Sequence, residues 1–184
     1  MGSKQTKTAT INEVTATTTT PPPKPKHIAE FEIEALGAGF HTDCTVGKTG
    51  DFTVKVAEPK EKGGSGEGPN PMEYLLVSLT TCHQETASLI AMERGIEKWG
   101  PIKFKTEFEL NTDGFLGLHN DDGGLTAPQV FRRVVLNADV DGDVDQATID
   151  DILFAVKQRC PVRSLFQAAG VQVEGKWQKK IDCV

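Results

Sequence analysis

The segment from Asn70 to Gly95 restricts the fold more than any other. Asn70 can cap a helix, Pro71 suits its first position, and Glu73 falls where a capping box closes. Leu75, Leu79, Cys82, Thr86, Leu89 and Ile90 then recur at spacings of three and four. Arg94-Gly95 supplies a cationic last turn and a terminal glycine. The pattern predicts one long helix with Cys82 buried on the stripe that packs.

Period two surrounds that helix. Phe31, Ile33 and Ala35 alternate with Glu30, Glu32 and Glu34, and Phe40, Thr42, Cys44 and Val46 alternate with His41, Asp43 and Thr45. With Phe52–Val56 after Gly50-Asp51, these read as three half-buried strands in a meander, followed by a Gly-rich loop over 61–68. Beyond the helix, Ile102, Phe104, Thr106, Phe108 and Leu110 alternate with charged residues. A turn-rich stretch over 111–128 leads to a strand from Phe131 to Val140. Its inner face is Val134, Leu136, Ala138 and Val140, and parity puts Arg132 on that face too. A second helix runs from about Asp145 to Arg159 on Ile149, Ile152, Leu153 and Val156, and Cys160 extends the stripe by a turn. Pro161 disfavours helix at Cys160 but suits the start of a new short helix, which Gly170 would end. Val171–Val173 closes the pattern as a last strand. Strands, helix, strands, helix, strand is an α+β order, without the strict alternation of a doubly wound sheet.

Composition narrows the function classes. The 184 residues are 38% apolar and 25% charged, in the range of an ordinary soluble protein. A formal charge of −6 with no Lys/Arg cluster argues against nucleic acid as a partner. No stretch reaches the roughly 20 apolar residues of a membrane span, and the beginning lacks the apolar core of a secretory signal. Residues 1–26, rich in Thr, Pro and Lys, read as a disordered tail before a single domain over 27–184. The start, Met1-Gly2-Ser3-Lys4-Gln5-Thr6, fits the loose N-myristoylation pattern at Gly2.

Four cysteines, Cys44, Cys82, Cys160 and Cys183, are too few and too scattered for a disulfide framework or a zinc ribbon. A reducing, cytoplasmic compartment is the expectation. Cys44 and Cys82, each on an apolar face, read first as small core fillers, and Cys183 as an exposed thiol. Cys160 differs, because free amides and a positive dipole at a helix start lower a thiol's pKa. A thiolate at Cys82, in mid-helix, needs a nearby cation instead.

The run Gly68-Pro69-Asn70-Pro71-Met72-Glu73-Tyr74-Leu75-Leu76, continued by Leu79 and Cys82, resembles the central helix of the OsmC/Ohr family of thiol-dependent peroxidases. Asp113-Gly114-Phe115-Leu116-Gly117-Leu118 and Cys160-Pro161-Val162 resemble later segments of that family, in the same order. The resemblance covers about Phe31 to Trp177. It implies an α+β homodimer of antiparallel sheets and intertwined long central helices, with active sites at the subunit interface. It implies that Cys82 attacks a hydroperoxide and becomes a sulfenic acid, and that Cys160 condenses with it to a disulfide that a thiol reductant reopens. An apolar site favours organic hydroperoxides, whose alkyl tail gains by desolvation. No metal or organic cofactor is implied.

Two departures stand against the family pattern. Its peroxidases pair an arginine from an early strand with a glutamate at the start of the central helix, yet here no arginine precedes Arg94. Met72 occupies the position of that glutamate, and Glu73 stands about 100° further round the helix. Glu73 is carried as a candidate catalytic carboxylate, with the capping box as its structural alternative. His41, Lys48, Arg132 and Arg163 are the other cations on offer, each expected as a solvated charge. The competing reading is an OsmC-like module that binds a small apolar ligand or senses redox state without efficient turnover. A cysteine hydrolase ranks lower, since His83, next to Cys82, is aimed about 100° away and His27 and His119 lie in tail and loop. Metal binding by Cys82, His83 and Cys160 is set aside on the same divergence.

Overall fold

A computed structural model of the chain describes residues 29, 31–47, 50, 52–113, 116–119, 122–124 and 131–180. The expected tail over 1–26 with Gly2, and also His27, Lys48 and Cys183, lie outside the described residues. So does part of the Asp113–Leu118 motif, of which Leu116 and Leu118 are exposed.

Three strands, β1 (Ile33–Ala38), β2 (His41–Val46) and β3 (Phe52–Ala57), form the expected antiparallel meander. They were expected half-buried. Instead β1 is exposed along its whole length, and Phe31, Leu36, Phe40 and Phe52 show their rings and methyls to solvent. Alternate residues of β2 and β3, among them Cys44, Val54 and Val56, are partly covered and Ala57 is buried, so the expectation holds for those two strands and fails for β1. The sheet is tied to the rest chiefly at its last strand: Ala57 N–H donates to Pro69 O at 3.2 Å and the Tyr74 hydroxyl donates to Lys55 O at 2.8 Å.

Helix α1 (Pro71–Glu93) runs for 23 residues. Its start is built as the capping signals predict: Asn70 Oδ1 accepts from the Met72 and Glu73 amides at 2.9 and 3.0 Å, while the Glu73 carboxylate accepts from Asn70 N–H at 2.8 Å. The stripe is rotated from the expected one. Leu76, Leu79, His83, Thr86, Ala87, Ile90 and Ala91 are buried, Cys82 is half-buried, and Leu89 is exposed. The helix is apolar on two faces, so spacings of three and four select either. The face that wins puts His83 inward and Cys82 at the seam.

The second sheet carries the core. Strands β4 (Trp99–Leu110) and β5 (Phe131–Gly142) pair antiparallel, with Ile102, Phe104, Thr106, Phe108 and Leu110 turned inward as alternation predicts. Arg132 departs from its parity: Leu110 pairs with Phe131 and Glu109 with Arg133, so Arg132 is bulged out and exposed. Helix α1 lies on the inner face, where Thr80 and Thr106 share a 2.8 Å hydroxyl hydrogen bond. Helix α2 (Gln146–Arg159) is capped by Asp145, whose carboxylate accepts from Thr148 N–H at 2.8 Å, and buries Ile149, Ile152 and Val156. Helix α3 (Pro161–Ala168) follows directly and contributes Phe166 to the same core.

Two short strands close the sheet, β6 (Gln172–Glu174) and β7 (Trp177–Lys179), both parallel to β5 along one edge. Only the first was expected, because Trp177 is the one apolar residue between Gly175 and Lys180 and shows no alternation. Gly175 makes the step between them at φ +146°, and a Cβ there would sit 1.8 Å from the Leu136 carbonyl oxygen. That oxygen is backbone of the central strand and cannot swing aside. Gly175→Ala is therefore expected to cost about 2 kcal/mol or more. The check is a fall in urea midpoint without a change in slope; an unchanged midpoint overturns the account.

Candidate active site

Cys160 sits in the elbow between α2 and α3. Pro161 clashes with a helical residue before it, so Cys160 takes an extended backbone, φ −70° and ψ 114°. It ends α2, with its N–H donating to Val156 O at 3.0 Å, and begins α3, with its sulfur accepting from Arg163 N–H at 3.4 Å. The side chain is fully buried. Cys82 reaches this elbow from α1, and the two sulfurs stand 3.2 Å apart, the Cys160 thiol placed to donate to Cys82. At that separation the two sulfurs are already in contact.

His83 enters the same cluster, contrary to the expectation that neighbouring helical residues diverge too far to share a site. They diverge from each other, but Cys160 lies between their directions. His83 Nδ1 is 3.6 Å from Cys160 Sγ and 2.9 Å from the Leu79 carbonyl oxygen. A carbonyl only accepts, so Nδ1 carries the proton and His83 is a donor at this atom. A base acting through Nδ1 is thereby excluded. The same engagement leaves that nitrogen no lone pair for a metal, and among the described residues no group of three or more His, Cys, Asp and Glu is disposed to hold one. The signal that could have found His83 is the alternative stripe Leu76-Leu79-His83-Ile90.

The candidate cations fall out differently. His41 is held on β2 by Asp43, Nε2 to Oδ1 3.2 Å, with Ser65 Oγ 3.4 Å from its Nδ1. Arg163, expected as a solvated charge, is 8% exposed. Its Nη2 donates to Val173 O at 2.8 Å, and its Nε has no hydrogen-bond partner. Trp177 packs beside it, ring centroid 6.5 Å from that of His83, with an equally unpartnered Nε1. Together with His83, Lys157 and Glu174 these side chains line a small cleft. Glu73 is not brought to the thiols: it lies nine residues from Cys82, roughly 13 Å along the helix, and its carboxylate is engaged by the cap.

Burial reverses the expected titration of Cys160. Desolvation pushes its thiol up to about 11, and the amides of Arg163 and Val162 at the start of α3 only moderate the rise, to which Cys82 adds. His83 is held below its ordinary value by desolvation, with the Leu79 carbonyl opposing and the Arg163 charge reinforcing. The signs give opposite limbs. The fold refuses a proton at His83 that the unfolded chain takes up below 6.5, so stability falls as pH drops from there. The fold keeps the Cys160 proton that the unfolded chain releases near 9.0, so stability also falls as pH climbs from 9.0 toward 11. Urea midpoints measured across pH 5–11 should plateau between these limbs, with His83→Gln flattening the acid side and Cys160→Ala the alkaline one. Limbs unchanged in both variants would contradict this assignment.

A family model described as OsmC-like protein matches residues 64–176. The chain belongs to this OsmC-like family. It is 28% identical over 129 residues to the uncharacterised protein YmaD of Bacillus subtilis, covering 69% of this chain and 75% of that one. Among solved structures, an organic hydroperoxide resistance protein of Elizabethkingia anophelis superposes with a TM-score of 0.63 at 17% identity, covering 85% of this chain and all of that one. OhrB of Bacillus subtilis gives 0.54 at 19%, covering 82% and 98%. At these identities the structural likeness is one of fold, and it agrees with the mixed α+β architecture described above. Among the described residues no helix is long and apolar enough to cross a membrane.

Proposed function

We propose that this chain is a thiol-dependent peroxidase that reduces organic hydroperoxides, with Cys82 as nucleophile and Cys160 as resolving thiol. The observation that carries it is the 3.2 Å approach of a half-buried and a fully buried sulfur delivered by separate elements. The Cys82 thiolate attacks the terminal oxygen of ROOH, an S–O bond forms as the O–O bond breaks, and the alkoxide leaves and takes a proton as alcohol. The Cys160 thiolate then attacks the sulfur of the resulting sulfenic acid; the S–S bond forms as the S–O bond breaks, the hydroxyl takes a proton and leaves as water, and a disulfide remains. Proximity protects the sulfenic acid from further oxidation, because a thiol already in reach captures it first. Apolar neighbours of Cys82 in the core cluster favour a substrate with an alkyl tail.

The open apolar sheet supports the second half of this reading, a homodimer. Phe31, Leu36, Phe40 and Phe52 of the meander and Val77 and Met92 of α1 are large apolar side chains left exposed in one chain. A second copy laid on the meander and the outer face of α1 covers them and completes the surroundings of Cys82.

One observation favours the slower alternative, a redox-sensing or ligand-binding module: among the described residues no arginine or lysine donates to Cys82 Sγ, whose polar contact is the Cys160 thiol. Turnover decides between them. Reduced protein with a dithiol should consume cumene hydroperoxide continuously. Cys82→Ser should lose this activity by more than about 100-fold, and Cys160→Ser should consume one equivalent and stop as sulfenic acid. Consumption by Cys82→Ser at the wild-type rate sinks the assignment. Sedimentation equilibrium should give twice the chain mass; a monomer at micromolar concentration refutes the dimer.

A further inference from the structure

The proposed cycle passes twice through a thiolate on Cys160: once as it attacks the oxidised Cys82, and once as it leaves their disulfide. Accessibility sets the direction of the second passage. Cys160 is fully buried and Cys82 half-buried, so an incoming thiol meets Cys82 Sγ. Attack there breaks the S–S bond and puts its electron pair on Cys160. Exchange slows when the leaving thiolate is poorly stabilised, and a sulfur out of reach of water depends on fixed donors.

The charge that meets this thiolate is Arg163. Its backbone N–H already donates to Cys160 Sγ, and its buried side chain spends one hydrogen bond on the Val173 carbonyl and leaves Nε unpartnered. Among the described residues no carboxylate forms an ion pair with it. Buried arginines ordinarily come with their anion. The neighbours that could have served are engaged elsewhere: Glu174 of β6, in the same cleft, accepts from Arg133 at 3.0 Å. Lys157 of α2 adds only positive charge to the cleft, and Arg159, next to Cys160 in the chain, is bound to Glu93. From α1, His83 offers a protonated Nδ1 and Cys82 its sulfur. The negative charge that completes this set is the Cys160 thiolate itself.

We propose that Arg163 is the positioning residue for the resolving thiolate, and that a dithiol reductant regenerates the protein by attacking Cys82 and expelling Cys160 toward Arg163. One thiolate of the dithiol bonds to Cys82 as the protein disulfide breaks, and the second displaces Cys82 and closes the reductant's own disulfide. The reductant loses two electrons and two thiol protons, and the protein gains both. The inference deepens the peroxidase reading, but it can be tested apart from it, because diamide forms the same disulfide without peroxide.

Wild-type, Arg163→Gln and Arg163→Lys proteins, oxidised with diamide, are to be reduced with dithiothreitol and followed by stopped flow. Each unit by which the Cys160 thiol rises cuts its thiolate tenfold, and the compensating gain in nucleophilicity returns about threefold. Arg163→Gln should therefore form and open the disulfide about three- to tenfold more slowly, with the rate of formation still climbing at pH values where the wild type has levelled. Arg163→Lys should restore most of the rate. These steps should slow more than the first oxidation of Cys82, measured in a Cys160→Ser background. Reduction of the wild type with 2-mercaptoethanol should leave the adduct on Cys82 by peptide mass mapping, a result that does not require the variants to fold. An adduct on Cys160, or equal rates and pH profiles for wild type and Arg163→Gln, overturns the inference. No consumption of cumene hydroperoxide by the wild type, with the diamide results as expected, overturns the peroxidase reading alone.

Discussion

The inner stripe of α1, Leu76-Leu79-His83-Ala87-Ile90, packed against α2, α3 and β4, is the contact on which the rest depends. It fixes the rotation of a helix that is apolar on two sides. With that rotation set, Cys82 lies at the edge of the buried face, near enough to the α2–α3 elbow to touch Cys160 and far enough out for a small molecule to reach. A rotation by one residue would bury Cys82 and turn His83 out. The opposite side of the helix, with Val77, Leu89 and Met92, is left for something else to cover.

At the elbow two physical effects compete and their ranking matters. Helix-start amides favour a thiolate, while removal from water disfavours one. For Cys160 the second wins, although Pro161 creates the favourable geometry. In the cycle proposed above, a Cys160 thiol kept protonated at rest is a hydrogen-bond donor toward Cys82 rather than a rival anion beside it. The arrangement thus separates the roles of the two sulfurs by solvent exposure more than by local charge.

Much of this was legible in the chain. The capped helix, the meander, the alternation of β4 and β5, and the helix–proline–helix joint at Cys160 follow from local signals and appear where those signals lie. What the sequence hides is tertiary. An apolar residue at every helical turn on two faces leaves the stripe of α1 ambiguous, which is why His83 was misplaced. A bulge opposite Glu109 and Leu110 defeats the parity argument for Arg132, because one extra residue reverses the face. Burial of Arg163 depends on β6 and the cleft beside it, contacts that no window around Arg163 contains. In the dimer proposed above, what covers the meander lies outside a single chain altogether.

The separation of the two thiols along the chain has a consequence of its own. Cys82 and Cys160 are 78 positions apart, and that span includes β4, β5 and α2, most of the core. A bridge between them closes one long loop in the unfolded ensemble, which chain-entropy reasoning values at about 4–5 kcal/mol. Oxidation therefore deprives the unfolded chain of freedom while leaving the fold almost where it was. The bridged molecule is the harder one to unfold, and reducing it returns the chain to its more yielding form.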